Sequence, residues 1–210
     1  TRDEGNKNDL QINHCVFSNC AGTNGAVLYI QELPNHLTLQ NVTFEHFNDY
    51  NGGEGYMIQI EANYKNPEMN FVDCKFIDLE CDSRGGGGIG LLYYTTVSGL
   101  GVKDSHKHCK IKFEHSTFEH IKHVHDTIGG GAIAIDKDNN NKWTDLTIDD
   151  CTFNDISDAH SGGAIYFNSP EKTLNINRCT FQKISSSEDG QSIYVKDSNS
   201  YTITIQSNSF

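Results

Sequence analysis

Six times along this 210-residue chain, a small or apolar residue, often cysteine, stands two places before a phenylalanine. The phenylalanines are Phe17, Phe44, Phe76, Phe118, Phe153 and Phe181, and Phe210 opens a seventh copy. Their successive spacings are 27, 32, 42, 35, 28 and 29 residues. A repeat of this length constrains the fold more than any single residue. One unit is too small to bury its own apolar face, so it must stack on its neighbours.

Within a unit the apolar positions recur at period two. Leu10, Ile12, Cys15 and Phe17 correspond to Leu146, Ile148, Cys151 and Phe153, to Leu174, Ile176, Cys179 and Phe181, and to Ile203, Ile205, Asn208 and Phe210. Two polar residues interrupt the alternation, as at Asn13-His14 and Asn177-Arg178. This predicts a short strand, a tight bend and a second short strand, each with one buried face. Three places after phenylalanine comes another apolar residue or cysteine: Cys20, Phe47, Leu79, Ile121, Ile156 and Ile184. A polar loop and a glycine patch follow. Gly25 to Val27, Gly87 to Ile89, Gly131 to Ile133, Gly163 to Ile165 and a degenerate Gln191 to Ile193 predict a third strand per unit.

The length variation falls in the loops, and the strand pieces keep their size. A stacked solenoid permits this, since a loop leaving one corner does not disturb the stacking. The expected fold is therefore all-β: a right-handed parallel β-helix of about six to seven coils with three short strands per coil. Residues 1–210 form a single segment, expected to be a piece of a longer protein. A β-propeller needs four strands in about 40 residues. An antiparallel sandwich would use hairpin turns such as Asn24-Gly25 and Asn51-Gly52. Neither explains why cysteine and phenylalanine return in register.

Composition bounds the partners. Hydrophobic content of 36 % suits a thin solenoid, in which only alternate residues of short strands point inward. No run of apolar residues is long enough to span a bilayer, so direct membrane insertion of this segment is not expected. The formal charge is −12, with 16 basic residues scattered among 28 acidic ones, which disfavours a nucleic-acid partner.

Seven cysteines suggest a disulfide framework, but their positions argue against one. Cys15, Cys74, Cys151 and Cys179 share one slot, which Val42, Ser116 and Asn208 fill in other copies. A buried thiol there acts as a small hydrophobe. Cys151 and Cys179 fall in successive coils at a spacing that also permits a disulfide. Cys81 is expected in a loop.

The cysteine, phenylalanine and Gly-Gly-Ala-Ile pattern resembles the repeats of the chlamydial polymorphic outer-membrane proteins and of similar protist surface proteins. The clearest matches are Gly162 to Ile165 and Gly130 to Ile133, with a partial one at Gly25 to Val27. The Phe-x-x-Asn element of that family is absent, because the place three after phenylalanine is apolar or cysteine. The resemblance implies an extracellular passenger region used in adhesion or surface display.

Candidate chemistry is sparse. Asp149 and Asp150 look like paired catalytic carboxylates, yet they occupy the bend slot and turn chemistry accounts for them. Six of the ten histidines fall between 106 and 125. Stacking of adjacent loops would bring His125, Asp126, Asp158 and His160 together as nitrogen and oxygen ligands for a borderline metal. The alternative is a solvated histidine-rich loop. No cofactor is expected. Asn41, followed by Val42 and Thr43, is the one N-glycosylation sequon.

The longest repeat carries an insertion from Tyr93 to His108, and the loop Asp136 to Asp145 lies one coil on. Tyr93, Tyr94 and Trp143 are the expected partner-binding residues, tryptophan being enriched at interface hot spots. Trp143 could instead cover the end of a strand. The leading expectation is a non-catalytic extracellular segment of a surface adhesin or display protein. Its partner would be a protein or glycan on another cell, or a neighbouring protein in an assembly. A polysaccharide lyase or glycoside hydrolase on the same scaffold, and a structural spacer, are the alternatives.

Overall fold

The computed structural model describes residues 9–20, 27–30, 36–49, 58–60, 68–81, 108–123, 129–135, 143–158, 160–168, 173–196 and 202–210. These residues are all-β, and every strand pair is parallel. One sheet has seven strands, in the order β1 (Asp9–Asn13), β4 (His36–Gln40), β7 (Glu68–Val72), β9 (His108–Glu114), β12 (Trp143–Asp149), β15 (Thr173–Asn177) and β18 (Thr202–Gln206). A second has six: β2 (Val16–Ser18), β5 (Thr43–Asp49), β8 (Lys75–Cys81), β10 (Thr117–His123), β13 (Thr152–Asp158) and β16 (Thr180–Ser186). The third strands of the repeats form two patches. One pairs β3 (Leu28–Ile30) with β6 (Ile58–Ile60); the other joins β11 (Ile133–Ile135), β14 (Ile165–Phe167) and β17 (Ile193–Val195). Among the described residues the chain thus visits the seven-stranded and then the six-stranded sheet in each full repeat, and returns alongside itself. That arrangement is compatible with the expected solenoid.

Register follows the sequence slots. Phe17 pairs with Phe44, Phe44 with Phe76, Phe76 with Phe118, Phe118 with Phe153 and Phe153 with Phe181. Their rings form one column that Phe210 extends, with neighbouring centroids 4.7 to 5.2 Å apart and planes within 12° of parallel. The near-parallel planes make each neighbouring pair a stacked one. The one-strand repeat of a parallel sheet sets this spacing. Leu37, Leu39, Phe71, Phe113, Ile148 and Ile176 of the seven-stranded sheet pack against the column, fully buried.

The chain turns between the first two sheets at His14, Asn41, Asp73, His115, Asp150, Arg178 and Ser207, all with φ between 49° and 56°. Asn, Asp and His enter this left-handed region more readily than other non-glycine residues. The N–H groups of the first six corners are satisfied by the next repeat; Asp150 N, for example, donates to Asn177 O at 3.0 Å. Asp150 therefore serves the bend, as its slot implies.

The sequence pattern conceals a second bend. Asn19, His46, Asp78, His120, Asp155 and Lys183 also have φ between 51° and 55°. In β5, β8, β10, β13 and β16 these residues drop out of the pairing register, which resumes one place later. The six-stranded sheet is therefore creased along its length. The crease turns both Phe118 and Ile121 inward, at 0 % and 1 % exposure, although they are three places apart. Cys81, expected in a loop, is the last residue of β8.

Glycines shape the turn into the third sheet. Gly130, Gly162 and Gly190 have φ of 94°, 71° and 67°. A Cβ on Gly163 would lie 2.2 Å from Gln191 O and 2.6 Å from Ser185 O, so only hydrogen fits between successive repeats there.

Candidate functional site

Outward-facing side chains line up in rows, because residues at one register position stack at the strand spacing. On the seven-stranded sheet, His36, Glu68, Lys110 and Asp145 share a row. His36 Nδ1 lies 3.5 Å from Glu68 Oε2, and Lys110 Nζ lies 2.8 Å from Glu68 Oε1. The hydrogen bond and charge of Glu68 hold the Lys110 ammonium above its ordinary range. Along the crease, His46 Nδ1 is 3.4 Å from Asp78 Oδ2, His120 Nδ1 is 3.0 Å from Asp78 Oδ1, and His120 Nε2 is 3.8 Å from Asp155 Oδ2. At the other corner, His115 sits between Asp73 at 3.7 Å and Asp150 at 3.6 Å. Arg178 donates to Asp149, and Lys122 to Glu80 at 2.7 Å.

Bases of adjacent repeats thus engage these carboxylates. Each exposed pair contributes little alone, typically ~0.2–1 kcal/mol. Two open troughs lie among the rows. One, of about 430 Å³, is bounded by Glu68, Lys110, Lys112, Asp145, Thr147 and Asn175. The other, of about 390 Å³, is bounded by His46, Asp78, Glu80, His120 and Lys122. Both are polar and charged, and neither has the apolar lining typical of a small-molecule pocket.

One histidine–carboxylate pair differs from the rest. His123 Nδ1 donates to Asp158 Oδ2 at 2.8 Å, and both side chains are fully buried. Asp158 Oδ1 accepts from His160 N at 2.5 Å. His160 Nδ1 faces Glu188 Oε2 at 3.0 Å, and Ser161 Oγ donates to the same oxygen at 3.3 Å. Asp158 therefore anchors its neighbouring turn with one oxygen and clamps the preceding repeat with the other. Burial in a low-dielectric setting makes such a pair costly to break.

This network departs from the metal reading. Asp158 spends both oxygens on His123 and on the His160 backbone, and His160 turns its ring to Glu188. His125 and Asp126 lie outside the described residues. Among the described residues no group of three or more His, Cys, Asp or Glu is placed to hold a metal ion. His120 and His123, two of the six clustered histidines, belong to β10. A sequence signal for the buried pair did exist. Cys81, His123, Asp158 and Ser186 each stand five places after a repeat phenylalanine, and they are successive rungs of one row.

Of the expected partner-binding residues, Tyr93 and Tyr94 lie outside the described residues. Trp143 does not stand in a loop. It opens β12 with its backbone opposite His108, the first residue of β9, so both expected loops end earlier than their spacing suggested. The side chain of Trp143 is outside the described part.

The thiol slot is an interior position. Cys74, Cys151 and Cys179 are buried, Cys15 and Cys20 are half-buried, and all five are free. Burial pushes the Cys74 thiol up to about 11. Cys151 and Cys179 share a hydrogen bond that raises the first, with burial adding to the rise, and lowers the second. The slot also links repeats through side chains: Cys74 N donates to Ser116 Oγ at 3.1 Å, and Cys179 N to Asn208 Oδ1 at 2.8 Å.

Comparison with protein-family models, with curated proteins and with solved structures finds no match to this chain.

Proposed function

We propose that this chain is a right-handed parallel β-helix segment, about six to seven coils long, of an extracellular adhesin or display protein. It is non-catalytic and binds its partner through segments carried on a rigid stack. The observation behind this reading is the indifference of the stack to insertion. β7 pairs with β9, and β8 with β10, slot for slot, although residues 82–107 intervene between β8 and β9. A scaffold that keeps its register across the longest repeat suits the display of variable segments. The outward carboxylates support the non-catalytic part, because neighbouring bases pair them in rows along the stack. The right hand follows the general rule for parallel crossovers. The partner is a protein or glycan on another cell, or a neighbour in an assembly.

The test is attachment of beads carrying the full chain to a panel of cell types. Shortening Tyr94 to Lys107 to a three-residue turn and, separately, Trp143→Ala are each expected to lower attachment at least tenfold with thermal stability unchanged. If both variants fold and attach as the parent does, display through these segments is wrong and the spacer reading takes its place.

A further inference from the structure

The corner row between the first two sheets carries a residue that neither the stack nor the display segments require. Asn41 is fully outward on this corner, with φ of 54°. Its backbone N–H donates to Val72 O at 2.9 Å, and Thr43 N donates to Cys15 O at 2.9 Å, so the corner is held without the Asn41 side chain. Val42, between them, is fully buried in the thiol slot. The amide Nδ2 makes one hydrogen bond, to Nδ1 of exposed His14 at 2.8 Å. Asn41 is also the one asparagine among these seven corner residues, and Thr43 stands two places on with no proline between.

We propose that Asn41 is an N-glycosylation site, carrying one oligosaccharide that projects from the corner between the seven- and six-stranded sheets. This rests on the extracellular reading above, with passage through a eukaryotic secretory route. In the transfer, Asn41 Nδ2 loses one proton and bonds to C1 of a polyprenyl-pyrophosphate-linked oligosaccharide. The C1–O bond to pyrophosphate breaks, and the polyprenyl pyrophosphate leaves. The substituted amide keeps one N–H, which preserves the donor that bonds His14. The glycan needs no buried space, because its neighbours on the corner row are exposed His14 and Asp73.

The experiment secretes the full chain from a eukaryotic cell behind a cleavable signal and reads intact mass before and after peptide-N-glycosidase. One glycan is expected, released with conversion of Asn41 to Asp. It should be lost in Asn41→Gln and Thr43→Ala and retained in Thr43→Ser, with circular dichroism of all variants that of the parent. Recovery of the folded, secreted parent at its unmodified mass overturns the proposal. The endogenous protein separates the two claims. Found outside the cell and unmodified at Asn41, it sinks the site. Found inside the cell while the secreted chain is glycosylated, it sinks the extracellular reading and leaves the acceptor standing.

Discussion

The two kinds of corner in this fold meet the same demand with different residues. Where the seven-stranded sheet turns into the six-stranded one, and again along the crease, Asn, Asp, His and a few others take φ near 50°. Where the chain turns into β11, β14 and β17, glycine takes φ of 67° to 94°. The difference lies in what the next repeat places opposite. At the open corners a side chain leaves the stack into solvent. At the closed corner a Cβ on Gly131 would lie 2.4 Å from Gly163 O, and one on Gly162 3.0 Å from Tyr194 Cβ, both in the next repeat. Charge follows the same division. Open corners carry exposed histidine–carboxylate rows, whereas the pair beside the closed corner, His123 and Asp158, is sealed from water.

The largest effect is expected at the sealed pair. Asp158→Ala strands a buried imidazole and releases the turn at His160, so a loss of ~3–5 kcal/mol is expected in urea unfolding. Asp155→Asn, which removes the exposed charge facing His120 and keeps a residue suited to φ of 53°, should cost under about 1 kcal/mol. Equal losses from the two would erase the distinction drawn between the corners.

A smaller contrast tests the backbone. Gly163→Ala places a methyl group against two carbonyl oxygens, so a loss of ~1–3 kcal/mol is expected. Asp150→Gly at an open corner should stay within ~0.5 kcal/mol of the parent, since glycine enters the left-handed region without a steric cost. A thermal melt in which Gly163→Ala matches the parent would mean that the repeats can part locally.

The thiol slot, one residue beyond each open corner, gives a pH signature. The folded Cys74 thiol titrates near 11 against an ordinary 9.0, so the folded state holds its proton more tightly. Its contribution is complete below pH 9 and lost as pH rises from there through about 11. The parent should therefore lose stability across that window more than Cys74→Ala does, measured by denaturation midpoints at three pH values. Parallel curves for the two proteins would remove Cys74 as the cause.

The smallest effect belongs to a half-buried pair on the seven-stranded sheet. Lys112 donates to Glu114 at 2.8 Å and holds that carboxyl below its ordinary 4.5. A lowered carboxyl stabilises the fold above pH 4.5 and loses that contribution as pH falls through its folded value. Lys112→Ala should remove under about 1 kcal/mol at pH 7 and close to nothing in strong acid. A penalty that persists in acid would assign Lys112 a packing role instead.

Much of the architecture is legible in the chain because its information is local and periodic. The place of Phe17, Phe44, Phe76, Phe118, Phe153 and Phe181 in each unit implies one ring column, and the slot that takes cysteine, valine or serine implies an interior position. Both follow from alternation on a strand, where side-chain direction is set by parity. The crease was not legible. His46, Asp78, His120, Asp155 and Lys183 read as ordinary polar residues until φ shows that the strand turns at each of them. The expected loops ran too far, into Cys81, His108 and Trp143, because single residues at a strand end carry no periodicity of their own.

By itself the sequence determined the repeat, its inward positions and the residues at the bend between its first two strands, since each depends on spacing within one unit. Only the tertiary structure decided which charges meet. His123 and Asp158 are 35 residues apart, as are Glu119 and Asn154. Which member of such a row is sealed and which is solvated depends on how closely the next repeat approaches. That distance is set by backbone contacts such as Gly163 against Gln191, between residues in different repeats.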